Sequence, residues 1–195
     1  MEIKILTIEE MPQAVALANG VFHYCYGNQI KDQQTLDFFS SYVNQENIGQ
    51  MMQQGRLVLW GGYEQDQLVA MSGMQREGHI TMLYVLPLFQ KREWGRELLL
   101  EMRSFALTEL HLEQVSVNAM PAWTAGYFAK RKFTAVSLPN PMAAYVPMQA
   151  KTVKKISYEK KTVSTGWLLG TMIGTLVLSA VVAVGFILSY MGGMV

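Results

Sequence analysis

At 195 residues the chain has room for one ordinary domain and a further short segment. Its formal net charge of +1 hides a split, because five of the 16 Lys and Arg lie between 151 and 165 beside a single acid, leaving 11 basic and 14 acidic groups in residues 1–150. An acidic first 150 residues argues against a nucleic-acid role, and the single cysteine, Cys25, excludes an internal disulfide and fits a reducing compartment.

From the N-terminus, Glu2 to Ile8 alternates apolar and polar and reads as a strand. Thr7-x-x-Glu10 is a capping box that opens a helix from Glu9 to about Ala18, with Met11, Val15 and Ala18 inward. Gly20 to Ile30 is aromatic and reads as irregular, and Cys25 within it as a half-buried thiol without chemistry. Asp32 can cap a second helix that buries Leu36, Phe39 and Val43 and stops before Gly49. Arg56–Tyr63, Leu68–Met74 and His79–Leu86 then read as three strands joined by turns at Gln65-Asp66 and Glu77-Gly78. The third breaks at Pro87, and from Trp94 to Glu109 a helix follows, with Leu98, Leu99, Met102, Phe105 and Ala106 on one face. Leu112–Asn118 is a further strand, Pro121 opens a short helix to Arg131, and Phe133–Leu138 with Met142–Met148 close the domain as a hairpin interrupted by Pro139-Asn-Pro141.

Beyond this 1–148 domain the chain changes character. Residues 149–165 form a basic linker carrying Lys151, Lys154, Lys155, Lys160 and Lys161. Trp167 to Met191 is 25 residues without a charge, long enough to cross a bilayer, so 166–191 is expected to be a transmembrane helix acting as a tail anchor. Lysines on one flank place the globular part in the cytoplasm, and could also meet anionic lipid. There is no basic stretch followed by an apolar one at the N-terminus, so no signal peptide is expected. Gly166, Gly170 and Gly174 recur at four, a spacing that permits a homodimer, although membrane helices are rich in glycine anyway.

The stretch between Pro87 and the helix that follows carries the chemistry. A loop feeding a helix aims the unpaired N–H groups of its first turn at one point, and these amides with the helix dipole suit a phosphate. Lys91, Arg92 and Arg96 add positive charge around that point. Glu93 could instead cap the helix itself and fill the same amides.

Val85, Pro87, Gln90 and Gly95 resemble the acyl-CoA-binding motif of the GNAT acetyltransferase superfamily, hydrophobic-x-Val-x-Pro-x-x-Gln-x-x-Gly-x-Gly/Ala, with Glu93 where its first glycine stands. A second region is similar too: Asn118 ends a strand, and Tyr127-Phe128, Lys130 and Lys132-Phe133 stand where the family has an aromatic pair, a Lys and a Gly-Phe. The resemblance covers about residues 3–148. It implies an α+β GNAT acyl-CoA N-acyltransferase fold, a mixed and mostly antiparallel sheet flanked by helices, with acetyl-CoA as co-substrate, an amine as acceptor and no metal. By the same resemblance Leu83 and Val85 would offer main chain to the pantetheine arm. Gln90, Lys91, Arg92, Gly95 and Arg96 would surround the diphosphate, and Asn118 would face the arm near the thioester.

His79 stands six residues before Val85, where histone-type members place a catalytic glutamate, and strand alternation puts His79, Thr81, Leu83 and Val85 on one face. It is the candidate general base, with Glu77 as a fallback; the plainer reading is a surface histidine after a turn. The resemblance implies an acid tyrosine in the aromatic pair, and since Phe128 has no proton to give Tyr127 is the candidate, or else an ordinary core tyrosine. Lys130, Arg131 and Lys132 could meet the 3′-phosphate of CoA or simply form a solvated helix end. Two functions follow. One is a membrane-tethered N-acetyltransferase. The other is a catalytically degenerate GNAT domain, marked by Glu93, Phe128 and Lys132, that serves as a membrane-anchored CoA-binding or interaction module.

Overall fold

The computed structural model describes residues 1–26, 33–136 and 144–155. The expected membrane helix 166–191 with its Gly166, Gly170 and Gly174, most of the basic linker, the Asp32 cap and the Pro139–Pro141 interruption lie outside the described residues. Among the described residues no helix is long and apolar enough to cross a membrane.

Residues Met1–Lys155 form one compact unit. Its strands are β1 (Glu2–Ile5), β2 (Leu57–Glu64), β3 (Gln67–Gln75), β4 (His79–Val85), β5 (Gln114–Ala119), β6 (Thr134–Ala135) and β7 (Val146–Lys151). They form one mixed sheet in the order β1-β2-β3-β4-β5-β7-β6. The β4–β5 pair is parallel, and the other neighbours run antiparallel. The helices α1 (Met11–Tyr26), α2 (Gln33–Tyr42), α3 (Gln45–Gln53), α4 (Trp94–Thr108) and α5 (Ala125–Ala129) build a core on each face of the sheet. One core gathers Val15, Phe22, Phe39, Ile48, Leu59 and Met82 under α1–α3. The other gathers Val69, Leu98, Met102, Val115, Phe128 and Phe133 under α4 and α5.

Three elements differ from the sequence expectation. Helix α1 does not stop near Ala18 but continues through Gly20 to Tyr26. The glycine faces open space, and its helix penalty of roughly 1 kcal/mol is outweighed by burying Val21 and Phe22. Phe22 stacks on Phe39 at 3.5 Å and 6°. The single helix expected before Gly49 is two. Asn44 divides them, since its side chain donates to the carbonyls of Ser40 (3.2 Å) and Ser41 (2.8 Å) while its oxygen accepts from Asn47 N (2.8 Å). One residue therefore ends α2 and caps α3. Of the capping box at Thr7 the glutamate half is present, with Glu10 accepting from Thr7 N at 3.0 Å, and the helix begins at Met11, two residues after the expected Glu9.

The third difference lies at the C-terminal boundary. Strand β7 runs to Lys151, beyond the limit expected at 148, because Ala150 continues the buried face of Met148. Arg103 of α4, buried in the interior, donates twice to Lys151 O (2.9 and 2.6 Å) and once to Arg131 O (3.2 Å). Lys155 Nζ reaches Glu101 at 2.7 Å. Truncating Arg103 leaves two carbonyls short of donors. Arg103→Ala is therefore expected to lose about 2–3 kcal/mol of stability in urea unfolding, whereas Lys155→Ala should lose under about 1 kcal/mol.

Candidate active site

The site begins with a failure of pairing. Strands β4 and β5 meet only at His79–Ser116 and Ile80–Val117, and beyond those residues they are no longer partners. On the other side β4 stays bonded to β3, where Leu86 N donates to Val69 O at 2.9 Å. Antiparallel pairs alternate between exchanging and not exchanging hydrogen bonds. With Met71 opposite Tyr84 and Ala70 opposite Val85, the groups of Tyr84 turn toward β3 and those of Leu83 and Val85 turn toward the opening.

A bulge changes which side chains share a face. Gly73 pairs with Met82 and Met74 with Ile80, so Thr81 is an extra residue on β4. Before it, Ile80 packs in the α4 core; after it, Leu83 and Val85 pack there while Met82 joins the α1–α3 core. The expected common face of His79, Thr81, Leu83 and Val85 therefore does not exist. His79, alternating with Ile80, lies on the α1–α3 side of the sheet. Ser116 does the same between Val115 and Val117, and His79 Nδ1 lies 2.8 Å from Ser116 Oγ. Burial holds the imidazole below its ordinary pKa, against a smaller upward pull from Glu77, so the ring is neutral at pH 7.

The opening widens into a cavity of about 1230 Å³. His79, Leu83, Val85, Asn118 and Tyr127 line it, as do Gln90, Lys91, Gly95 and Arg96 at the start of α4. Glu77 is not part of its lining. Arg92, expected beside the phosphate point, is not either. Its guanidinium lies over the Phe89 ring at 5.2 Å and 3.8 Å from Glu64.

Pro87 opens a short 3-10 turn, Pro87–Phe89, and Gln90 closes the corner, donating to Val85 O (3.1 Å) and Cys25 Sγ (3.6 Å). Lys91 (φ 61) and Glu93 (φ 66) take the left-handed conformation that glycine adopts freely. Glu93 does not cap α4: no side-chain bond reaches the helix amides, and its carboxylate binds Arg96 at 3.0 Å. The first-turn amides are thus left to other partners. Trp94, which sequence reasoning passed over, pins this start to the sheet. It is buried, and a Cβ on Gly62 would come within 2.8 Å of its ring.

Tyr127 sits at the same place. A Cβ on Gly95 would fall on its hydroxyl, so the glycine makes room for the phenol. Burial pushes the Tyr127 pKa up, the Arg131 guanidinium 3.5 Å over its ring pulls it down, and Glu93 adds to the rise. Lys130 and Arg131 line the cavity, whereas Lys132 does not. Lys132 (φ 70) holds the left-handed position where the GNAT pattern has glycine. Phe128 is buried beside Phe133, ring centroids 5.5 Å apart. Ser116 was legible in principle, since period two places it on the face of Asn118.

The profile of the family described as acetyltransferase (GNAT) domain matches residues 27–151. Among solved structures, the PaiA N-acetyltransferase from Thermoplasma acidophilum, in complex with coenzyme A, is 15% identical with a TM-score of 0.64, covering 77% of this chain and 99% of its own. A GCN5-related N-acetyltransferase from Rhodopseudomonas palustris is 19% identical with a TM-score of 0.63, covering 77% and 94%. Tetrahymena GCN5 is 14% identical with a TM-score of 0.56, covering 81% and 100%. At these identities the likeness is one of fold. No curated protein matches the chain.

Three substitutions test this geometry. Gly95→Ala should cost about 1–3 kcal/mol by overpacking. Tyr127→Phe in the same chain should return part of that loss, and the coupling in a double-mutant cycle measures the contact. Lys132→Gly should raise the melting temperature, because a left-handed residue with a side chain costs about 1–2 kcal/mol.

Proposed function

The chain belongs to the acetyltransferase (GNAT) domain family, and on that premise we propose that it is an N-acetyltransferase moving an acetyl group from acetyl-CoA to an amine. The observation that carries this is the parting of β4 from β5, with main chain of Leu83 and Val85 facing the gap and an uncapped helix start at its end. The pantetheine arm would lie in the gap, bonded to the N–H and C=O of Leu83 and the N–H of Val85, because Gln90 already takes the Val85 carbonyl. The first-turn amides of α4, with Lys91 and Arg96, would take the diphosphate. That the Glu93 carboxylate is bound to Arg96 instead of these amides supports the fit. Tyr127, with its hydroxyl over Gly95, stands at this diphosphate end. We assign it to holding acetyl-CoA, in place of the acid role that the resemblance suggested.

His79 supplies the base. With Nδ1 turned to Ser116, its Nε2 is the nitrogen that can take a proton from the amine, directly or through a water. The amine nitrogen bonds to the acetyl carbonyl carbon, the carbon–sulfur bond breaks, and the CoA thiolate leaves and takes a proton from solvent. Asn118 stands at the end of β5, exposed to the gap, where it can donate toward the thioester. Phe128 favours the degenerate reading, since the aromatic pair offers no second phenol. Against it, Glu93 and Lys132 both keep the glycine-like backbone that the motif needs.

The uncharged run 166–191 and the lysines before it support a tail anchor that holds the domain at the cytoplasmic face of a membrane, with Gly166, Gly170 and Gly174 available for a homodimer. Membrane fractionation of the full chain, with and without residues 166–195, tests the anchor.

Acetyl-CoA calorimetry and a thiol-release assay over a panel of amines separate enzyme from sensor. His79→Ala should lower kcat by about 10²–10⁴, and an unchanged rate removes it from the mechanism. The working form is the neutral ring and burial lowers its pKa, so kcat should be full at neutral pH and fall only as pH drops through a value below 6.5. Tyr127→Phe should raise KM for acetyl-CoA more than it lowers kcat.

A further inference from the structure

The half of the cavity away from the α4 start has walls of one kind. Phe22 lies flat on Phe39, Phe39 meets the edge of Tyr84 at 6.4 Å and 78°, and Tyr26 of α1 touches Trp123 at 5.8 Å. Trp123 belongs to the turn after β5, so this last contact spans the mouth from one wall to the other. Trp123 is 64% exposed and Phe38, on the same rim, 63%. Tyr42 Oη is buried beside Thr81 and Gln75.

Charge is arranged just as unevenly. Among the described residues the carboxylate lining the cavity is Glu93, at the α4 end and bound to Arg96. The lining cations Lys91, Arg96, Lys130 and Arg131 belong to that end as well. Toward the aromatic half the one ionisable group other than phenols and the Cys25 thiol is His79, which is neutral.

Resting on the acetyl-transfer reading above, we propose that the acceptor is a monoamine whose single nitrogen is joined to an aromatic or comparably bulky apolar group. Ring faces reward the burial of such a group by stacking and by removing apolar surface from water. An incoming ammonium is attracted to the face of Trp123 before it loses its proton. The amine end reaches His79; the apolar end lies among Phe22, Phe39 and Trp123. Among the described residues a second or third ammonium finds no carboxylate in that lining, with Glu77 acting on His79 only from outside it, and burying an unpaired charge is costly. Polyamines and aminoglycosides are therefore poor acceptors. The nitrogen gains the acetyl carbon and gives one proton to His79, and sulfur leaves as the CoA thiolate.

The test uses the full chain, acetyl-CoA and thiol release with four probes: tryptamine and phenethylamine against spermidine and kanamycin. The expected kcat/KM for the aryl amines exceeds that for the polycations by about 10–200-fold, the range a hydrophobic pocket can discriminate. Trp123→Ala, an exposed change that leaves the fold intact, should raise KM for tryptamine several-fold and leave KM for acetyl-CoA unchanged. Equal or better turnover of spermidine or kanamycin overturns the acceptor class while leaving the transferase standing, as does an unmoved tryptamine KM in Trp123→Ala. Calorimetry with acetyl-CoA separates the two ideas: no binding ends the transferase reading and this one with it. Binding without thiol release from any probe overturns the acceptor class.

Discussion

Two adjacent parallel strands that let go of each other after two residues are the constraint on which the rest of the site depends. Had β4 and β5 stayed paired to their ends, the main chain of Leu83 and Val85 would be consumed by the ladder and no cavity would exist. The apex where they still touch is held by side chains too, since His79 and Ser116 meet across it. Below the apex the sheet is repaired by β7, which pairs with β5 along Gln114–Ala119. Arg103 ties the end of β7 to α4, so the helix that would carry the diphosphate and the strand that closes the sheet are mechanically one body.

Much of this architecture could be read before the fold was seen, and the exceptions have a common character. The meander of β2, β3 and β4 and the α4 face followed from period two and period 3.6, because burial on one face leaves that periodicity in the residues. The Thr81 bulge left no such trace. His79, Thr81, Leu83 and Val85 alternate correctly on paper, and only the pairing with β3 shows the step that moves His79 to the opposite face. Gly20 and Asn44 misled in opposite ways. A glycine that faces open space does not end a helix, and an asparagine able to bond on both sides ends one helix and begins another.

Site residues showed the same division. Gln90, Lys91, Gly95 and Arg96 were legible as a group because they share one loop and helix start, Asn118 came from the family resemblance, and all line the cavity. Arg92, placed there by its charge and by the resemblance, lies over the Phe89 ring and 3.8 Å from Glu64, outside the cavity lining. Trp94 was missed because its part is to press the loop against the backbone of Gly62, and nothing in the sequence tells one buried tryptophan from another. That pressure also explains how Glu93 can stand in glycine's conformation: strained backbone persists where its surroundings over-determine it. The aromatic wall of the cavity was invisible for a different reason. Its rings come from α1, α2, β4 and the turn after β5, and only the fold brings them together.

The ion pairs around the α4 start set the character of that cradle. Arg96 is shared between Glu93 and Glu97, and Arg92 is turned to Glu64, while Lys91, Lys130 and Arg131 line the same end of the cavity. An anion resting there would meet peptide dipoles that do not titrate, together with these side-chain cations. Salt would screen the second part of its grip and leave the first, which acts at contact distance. A domain arranged this way would lose part of its hold on a nucleotide between dilute buffer and the salt of a cell, and keep the rest.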